Sequence, residues 1–223
     1  MKNIIIAIAV AVVLGLGTWA FISFDGASLL NKDTAATNTA TIATVNGEAI
    51  SQSEFDALQA QITTAQGIDI TTLDASAQAQ LNTQIINALV SQKLLQQAVA
   101  QTNITVPDAS VQVELEAIEN QFEDNAAYQS ALVAQGLTEN MLIAQIRTEL
   151  ATQAYLEQEL NLSAVTATEE EITTTYEGAA TEETPALEEI RDQVEAFVIQ
   201  QKQQELINTF IDNLRAGAEV EVL

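Results

Sequence analysis

The chain contains no histidine and no cysteine, and only 7 of its 223 residues are lysine or arginine, against 31 aspartates and glutamates. Without histidine there is no Ser-His or Cys-His pair, no imidazole general base and no imidazole metal ligand. Without cysteine there is no disulfide, no thiolate zinc site, no thiol nucleophile and no lipid-modified N-terminal cysteine. Carboxylates, lysines and hydroxyls are the catalytic groups that remain. The shortage of cations leaves a formal charge of −24. Such a surface repels the phosphates of nucleic acid and the headgroups of anionic lipid. Apolar residues, by contrast, make up 48% of the chain, enough for a packed core, so the acidity does not amount to disorder. The length suits one domain with an additional segment.

That segment is N-terminal. Lys2 is followed by an uncharged run from Asn3 to Phe24, which Asp25 closes. About 20 apolar residues in a helix span the hydrocarbon core of a bilayer. Trp19, Phe21 and Phe24 gather at the far end, where an aromatic belt would lie. Lys2 and the amino terminus favour the cytoplasmic side, which sends the rest outward. Residues 1–24 thus read as a transmembrane signal anchor. The competing reading is a cleaved signal peptide, with Ile4 to Leu16 as its apolar region and Thr18-Trp19-Ala20 as the cleavage site. Both place the main body outside the cytoplasm; the anchored form sits at the cell membrane. Residues 25–41, rich in Ala, Thr and Asn, read as a flexible linker.

The body opens with a hairpin. Thr41 to Val45 is strand-like, Asn46-Gly47 is the commonest type I′ turn pair, and Glu48-Ala49-Ile50 returns. Ser51 and Glu54 form a capping box for a helix to Gln66, which Gly67 ends. A longer helix from Ala75 to Gln101 carries two adjacent apolar rows, Leu81-Ile85-Leu89 and Ile86-Val90-Leu94, and so reads as central. Pro107 marks the next start, and Val111, Leu115, Ile118 and Phe122 follow at helical spacing. A short helix holds Tyr128 and Leu132 and stops at Gly136. Thr138 caps a helix to Leu160 with Leu142, Ile146, Leu150 and Ala154 in line. Thr168 and Glu171 form a second capping box, and a last helix runs from Ala186 to Leu214. Glu219 to Leu223 alternates polar and apolar residues, as a strand does. A lone strand leaves its backbone unsatisfied. The C-terminal strand is therefore expected to pair with Thr41–Ile50 and to bring the two ends of the domain together.

The acidic runs Glu169-Glu170-Glu171, Glu182-Glu183 and Glu188-Glu189 lie beside helix starts, where negative charge meets the positive end of the dipole. They read as solvated caps, not as a pair of catalytic carboxylates across a cleft. Asp69 and Asp74 are too sparse for a calcium loop. Asn103-Ile104-Thr105 and Asn161-Leu162-Ser163 match a glycosylation sequon, which matters only in a host that reads it. On the 138–160 helix, Met141 and Tyr155 share nearly one azimuth, and Tyr155 lies about 180° from Ile146. A second, Met/Tyr-bearing face suits adaptable apolar contacts. It equally suits packing against another helix of the same domain.

The stretch ATVNGEAISQSEFD, with Val45, Asn46, Gly47, Glu48 and Phe55, resembles the opening of the SurA-type and PrsA-type exported chaperone domain. INALVSQKLLQQAVAQTNITVPDASV is similar to its central helix and the turn that follows, through Leu89, Val90, Lys93, Leu94, Leu95, Ala98 and Val106. The blocks from Tyr128, Val165 and Leu187 onward resemble the rest of that domain in the same order, so the resemblance spans Thr41 to Leu223. The N-terminal span adds a likeness to PpiD-like, membrane-anchored members. The resemblance implies a mainly α fold of six or seven helices, closed by a small sheet from the two ends. It further implies a membrane-tethered, extracytoplasmic, chaperone-like protein that holds unfolded exported polypeptides. Tyr128, Met141 and Tyr155 are its candidate peptide-binding residues, and no cofactor, metal or nucleic acid is expected. Many members insert a parvulin-type prolyl isomerase domain before the last helix. Here only residues 178–186 separate Glu177 from Leu187, and histidine is absent, so no isomerase activity is expected. The alternative is a non-catalytic envelope assembly or scaffold protein with one specific partner.

Overall fold

Asn46 and Gly47 take left-handed backbone angles, with φ of 51° and 81°, the geometry that a type I′ turn requires. They join β1 (Thr41–Val45) to β2 (Glu48–Ser51), antiparallel, with Ala43 opposite Ile50 and Val45 opposite Glu48. The computed structural model describes residues 40–134, 136–181 and 184–223. At the far end of the chain β3 (Val220–Val222) lies antiparallel against the other side of β1, with Ala43 opposite Val222 and Val45 opposite Val220. The strand order is β2-β1-β3. The expected pairing of the two ends is thus the one the fold makes, and it satisfies a strand that local sequence alone leaves bare.

Seven α-helices lie between these strands among the described residues: α1 (Gln52–Gln66), α2 (Ala75–Ala100), α3 (Asp108–Glu119), α4 (Asn125–Ala134), α5 (Glu139–Leu160), α6 (Glu169–Ala179) and α7 (Leu187–Ala216). Their starts follow the capping logic. At α1 the Ser51 N–H donates to Glu54 Oε2 (2.6 Å), and the Glu54 N–H donates to Ser51 Oγ (3.3 Å). Thr168 and Glu171 repeat the box at α6. Gly67 closes α1 in the left-handed region at φ 62°, a conformation that costs a side chain about 1 kcal/mol or more. Asp74 caps α2 by accepting from the Ala77 N–H (2.8 Å). Asp69 caps a single 3-10 turn, accepting from the hydroxyl (2.6 Å) and N–H (2.9 Å) of Thr71, and those bonds lower its pKa. Both aspartates therefore have local structural roles.

Three apolar cores hold six of the seven described helices, α6 being the exception. The first joins the inner face of the sheet (Ala43, Val45, Ile50) to Phe55 of α1 and to Leu81, Ile85, Leu89, Val90 and Leu94 of α2. The second lies among α3, α4 and α5, around Val111, Leu115, Tyr128, Leu132, Leu142 and Ile146. The third gathers Leu95 of α2, Leu156 of α5, and Ile207 and Ile211 of α7. So α2 links the first core to the third, and α5 links the second to the third. Burial of one large aliphatic side chain is worth about 1.5–3 kcal/mol, whereas an exposed ion pair gives about 0–1 kcal/mol. The cores therefore outweigh exposed pairs such as Arg147–Asp108 (2.7 Å). Arg215 of α7 donates to Asn87 of α2 (2.8 Å), and Gln97 of α2 donates to the Val45 carbonyl (2.9 Å). These two bonds fasten β1 and the end of α7 to the central helix. No helix among the described residues is long and apolar enough to cross a membrane. The span expected at 1–24 and the linker as far as residue 39 lie outside the described residues, as do Glu182 and Glu183.

Candidate functional site

The three residues singled out for peptide contact fall in two different cores. Tyr128 of α4 is 1% exposed, with its ring 5.7 Å from that of Phe122. Its hydroxyl is buried with no hydrogen-bond partner among the described residues. Burial, with smaller contributions from Glu139 and Glu119, pushes its pKa up. Met141 is half-buried at the rim of the same core. Tyr155 is buried at the other end of α5, with its ring 5.8 Å from Phe210 of α7. The fold brings Tyr128 and Met141 together and keeps Tyr155 apart. At its Tyr155 end the Met/Tyr face is not an open surface, because α7 packs Phe210 against the side of α5 that lies away from Ile146; between Met141 and Tyr155 the same side is exposed at Thr148. The packing alternative describes Tyr155 here.

Other groups come to light that sequence reading passed over. Glu149 of α5 is half-buried, and burial raises its pKa. No ion pair reaches it among the described residues. At about 100° per residue it lies within about 20° of both Leu142 and Leu156, so it sits on the inner face between the second and third cores. Its place on that stripe was the signal available in the sequence. Val113 of α3 and Val133 of α4 are exposed on the outside of the second core.

A pocket of about 510 Å³ opens between α6 and α7, lined by Glu170, Glu171, Thr174, Val198, Lys202 and Glu205 among others. The Lys202 ammonium donates to both oxygens of Glu171 (2.7 and 2.9 Å) and to the Thr166 carbonyl (2.9 Å). The Glu171 carboxyl is held down to about 2, first by Lys202 and then by the Thr168 N–H. Lys202 of α7 thus clamps the start of α6 and the turn before it. The acidic runs at Glu169–Glu171 and Glu188–Glu189 occupy the first turns of α6 and α7, as expected. No group of three or more acidic side chains is placed to hold a metal ion among the described residues.

Residues 180–186 alone join α6 to α7, and the Tyr176 hydroxyl donates to the Pro185 carbonyl across that loop (2.9 Å). No further domain is inserted there.

Comparison with known proteins agrees with this architecture. The family model for the SurA-like N-terminal domain matches residues 1–156. No curated protein matches the chain. A solved structure from the Campylobacter jejuni pair formed by the virulence factor PEB4 and the periplasmic protein Cj1289, two structurally related SurA-like chaperones, superimposes with a TM-score of 0.54 at 13% identity. The match covers 82% of this chain and 99% of that one. At that identity the likeness is one of fold.

Proposed function

The chain belongs to the SurA-like N-terminal domain family, and on that premise we propose that it is a membrane-tethered, extracytoplasmic chaperone-like protein without prolyl isomerase activity. It holds unfolded exported polypeptides; it does not turn them over. The observation that carries this reading is the family match over most of the chain, with the body closing on itself from β1 to β3. The short α6–α7 loop supports the absence of an isomerase domain. The apolar run at residues 1–24 supports a tether, which would raise the local concentration of the holder near emerging chains. The acidic exterior keeps loaded complexes soluble. Tyr128, Met141 and Tyr155 would meet a client only where helices part from α5, so peptide contact there would be coupled to opening of a core.

The test is suppression of aggregation of an unfolded exported protein by residues 25–223. Light scattering should fall in proportion to the amount added. No effect at several-fold molar excess would sink the holding reading. One tight, saturable partner recovered by crosslinking, with no affinity for generic unfolded chains, would put an envelope assembly role in its place. A proline-containing tetrapeptide should isomerise at its uncatalysed rate in the presence of the full chain.

A further inference from the structure

Strand β3 is an edge of the sheet among the described residues. It meets β1 through residues 219, 221 and 223. The Asn46 N–H donates to the Glu219 carbonyl (2.8 Å), the Leu223 N–H donates to the Ile42 carbonyl (2.9 Å), and Thr44 stands opposite Glu221. In an antiparallel ladder alternate residues bond to alternate sides. The N–H and C=O groups of Val220 and Val222 therefore point away from β1, toward an open edge.

The side chains sort by the pleat. Val220 packs on the first core. Val222, on the same face and opposite Ala43, is 55% exposed. Glu219 and Glu221 are exposed on the other face, and neither has an ion-pair partner among the described residues. Two such edges brought together would set glutamates against each other, which opposes self-association. The complementary occupant places an apolar side chain beside Val222 and a cation beside Glu221.

We propose that the β3 edge binds an extended polypeptide segment in which basic residues alternate with apolar ones, as an added strand. Main-chain hydrogen bonds to Val220 and Val222 supply affinity, and the two glutamates supply selection. This deepens the client-holding reading and rests on it, by naming which segments of an exported chain dock and where.

The full chain is titrated with a labelled peptide that alternates lysine and valine over about ten residues, and anisotropy is read. A same-composition peptide with lysines and valines in separate blocks controls for attraction to an acidic surface, and an alternating Glu/Val peptide controls for charge. The alternating Lys/Val peptide should bind about tenfold tighter than the block peptide. V222P removes one outward donor, in an edge position that tolerates proline, and should erase that preference while leaving the unfolding midpoint in place. E221K should weaken the Lys/Val peptide and admit the Glu/Val peptide, which provides a second test should V222P fail to fold. Equal binding of alternating and block peptides, or undiminished preference in both variants, overturns the proposal. Suppression of aggregation that persists without peptide discrimination overturns the edge and leaves the holding reading. Discrimination without suppression does the reverse.

Discussion

Deletion of residues 218–223 removes β3 and should cost a large part of the stability of the domain. The lost hydrogen bonds include Asn46 N–H to the Glu219 carbonyl, the Glu219 N–H to Asn46 Oδ1 (2.9 Å), and the Leu223 N–H to the Ile42 carbonyl. At about 1 kcal/mol net each, these three come to about 3 kcal/mol, before the ladder bonds between Thr44 and Glu221 are counted. Val45 is fully buried beside Val220, its cross-strand neighbour on the same face, and its partial uncovering adds about 1 kcal/mol. A loss of about 4 kcal/mol is serious against a typical total of about 5–15 kcal/mol. With a urea m-value of about 2 kcal/mol/M, the midpoint should fall by about 2 M, as followed by far-ultraviolet circular dichroism. A pair of substitutions tests the register itself. E221P removes an N–H that faces β1 and should lower the midpoint, whereas V222P removes one that faces solvent and should leave it nearly unchanged. An unchanged midpoint after deletion, or the opposite ranking of the two prolines, would refute the pairing of the chain ends as described.

Further expectations concern the interior and the α6 clamp. Ile85→Ala empties a fully buried position in the core beneath the sheet and should cost about 2–5 kcal/mol in urea unfolding. Tyr128→Phe removes a buried hydroxyl that has no partner among the described residues, so the change should be neutral or stabilising by up to about 1 kcal/mol; a loss larger than that would show the hydroxyl to be bonded. Because the Glu171 carboxyl titrates at about 2 in the fold, well below its ordinary 4.5, its contribution is fully present above about pH 4.5 and is lost as pH falls toward 2. Lys202→Met should flatten this dependence in midpoints measured across that range, and an unaltered slope would count against the clamp.

Much of this architecture is written in short stretches of sequence. Asn46-Gly47, the boxes Ser51/Glu54 and Thr168/Glu171, and the stops at Gly67 and Gly136 all lie where local rules place them. Asp69 and Asp74, too sparse for a calcium loop, are the N-caps of the 3-10 turn and of α2, a role that local reading leaves unassigned. The candidate site was less legible. Tyr155 stands off the simplest apolar stripe of its helix, yet it is buried, because α7, distant in sequence, covers it; Tyr128 shares a helical row with Leu132 and is buried with it in the second core. Glu149 is legible only as a lone acid on an inner stripe, and its neighbours in the chain do not say what covers it.

By itself, then, the sequence determined which segments are helix or strand, where each starts and stops, and which chemistries are excluded for want of histidine and cysteine. These are local or compositional properties, read within a few residues or from a count. Tertiary structure decided what lies opposite each face. It set α7 against α5 and so buried Tyr155. It left the Tyr128 hydroxyl without a hydrogen-bond partner among the described residues and half-buried Glu149. It also put β3 at the edge of the sheet with two residues facing outward. Burial and pairing depend on groups that the chain brings together from far apart, and no short window of sequence contains both members of such a pair.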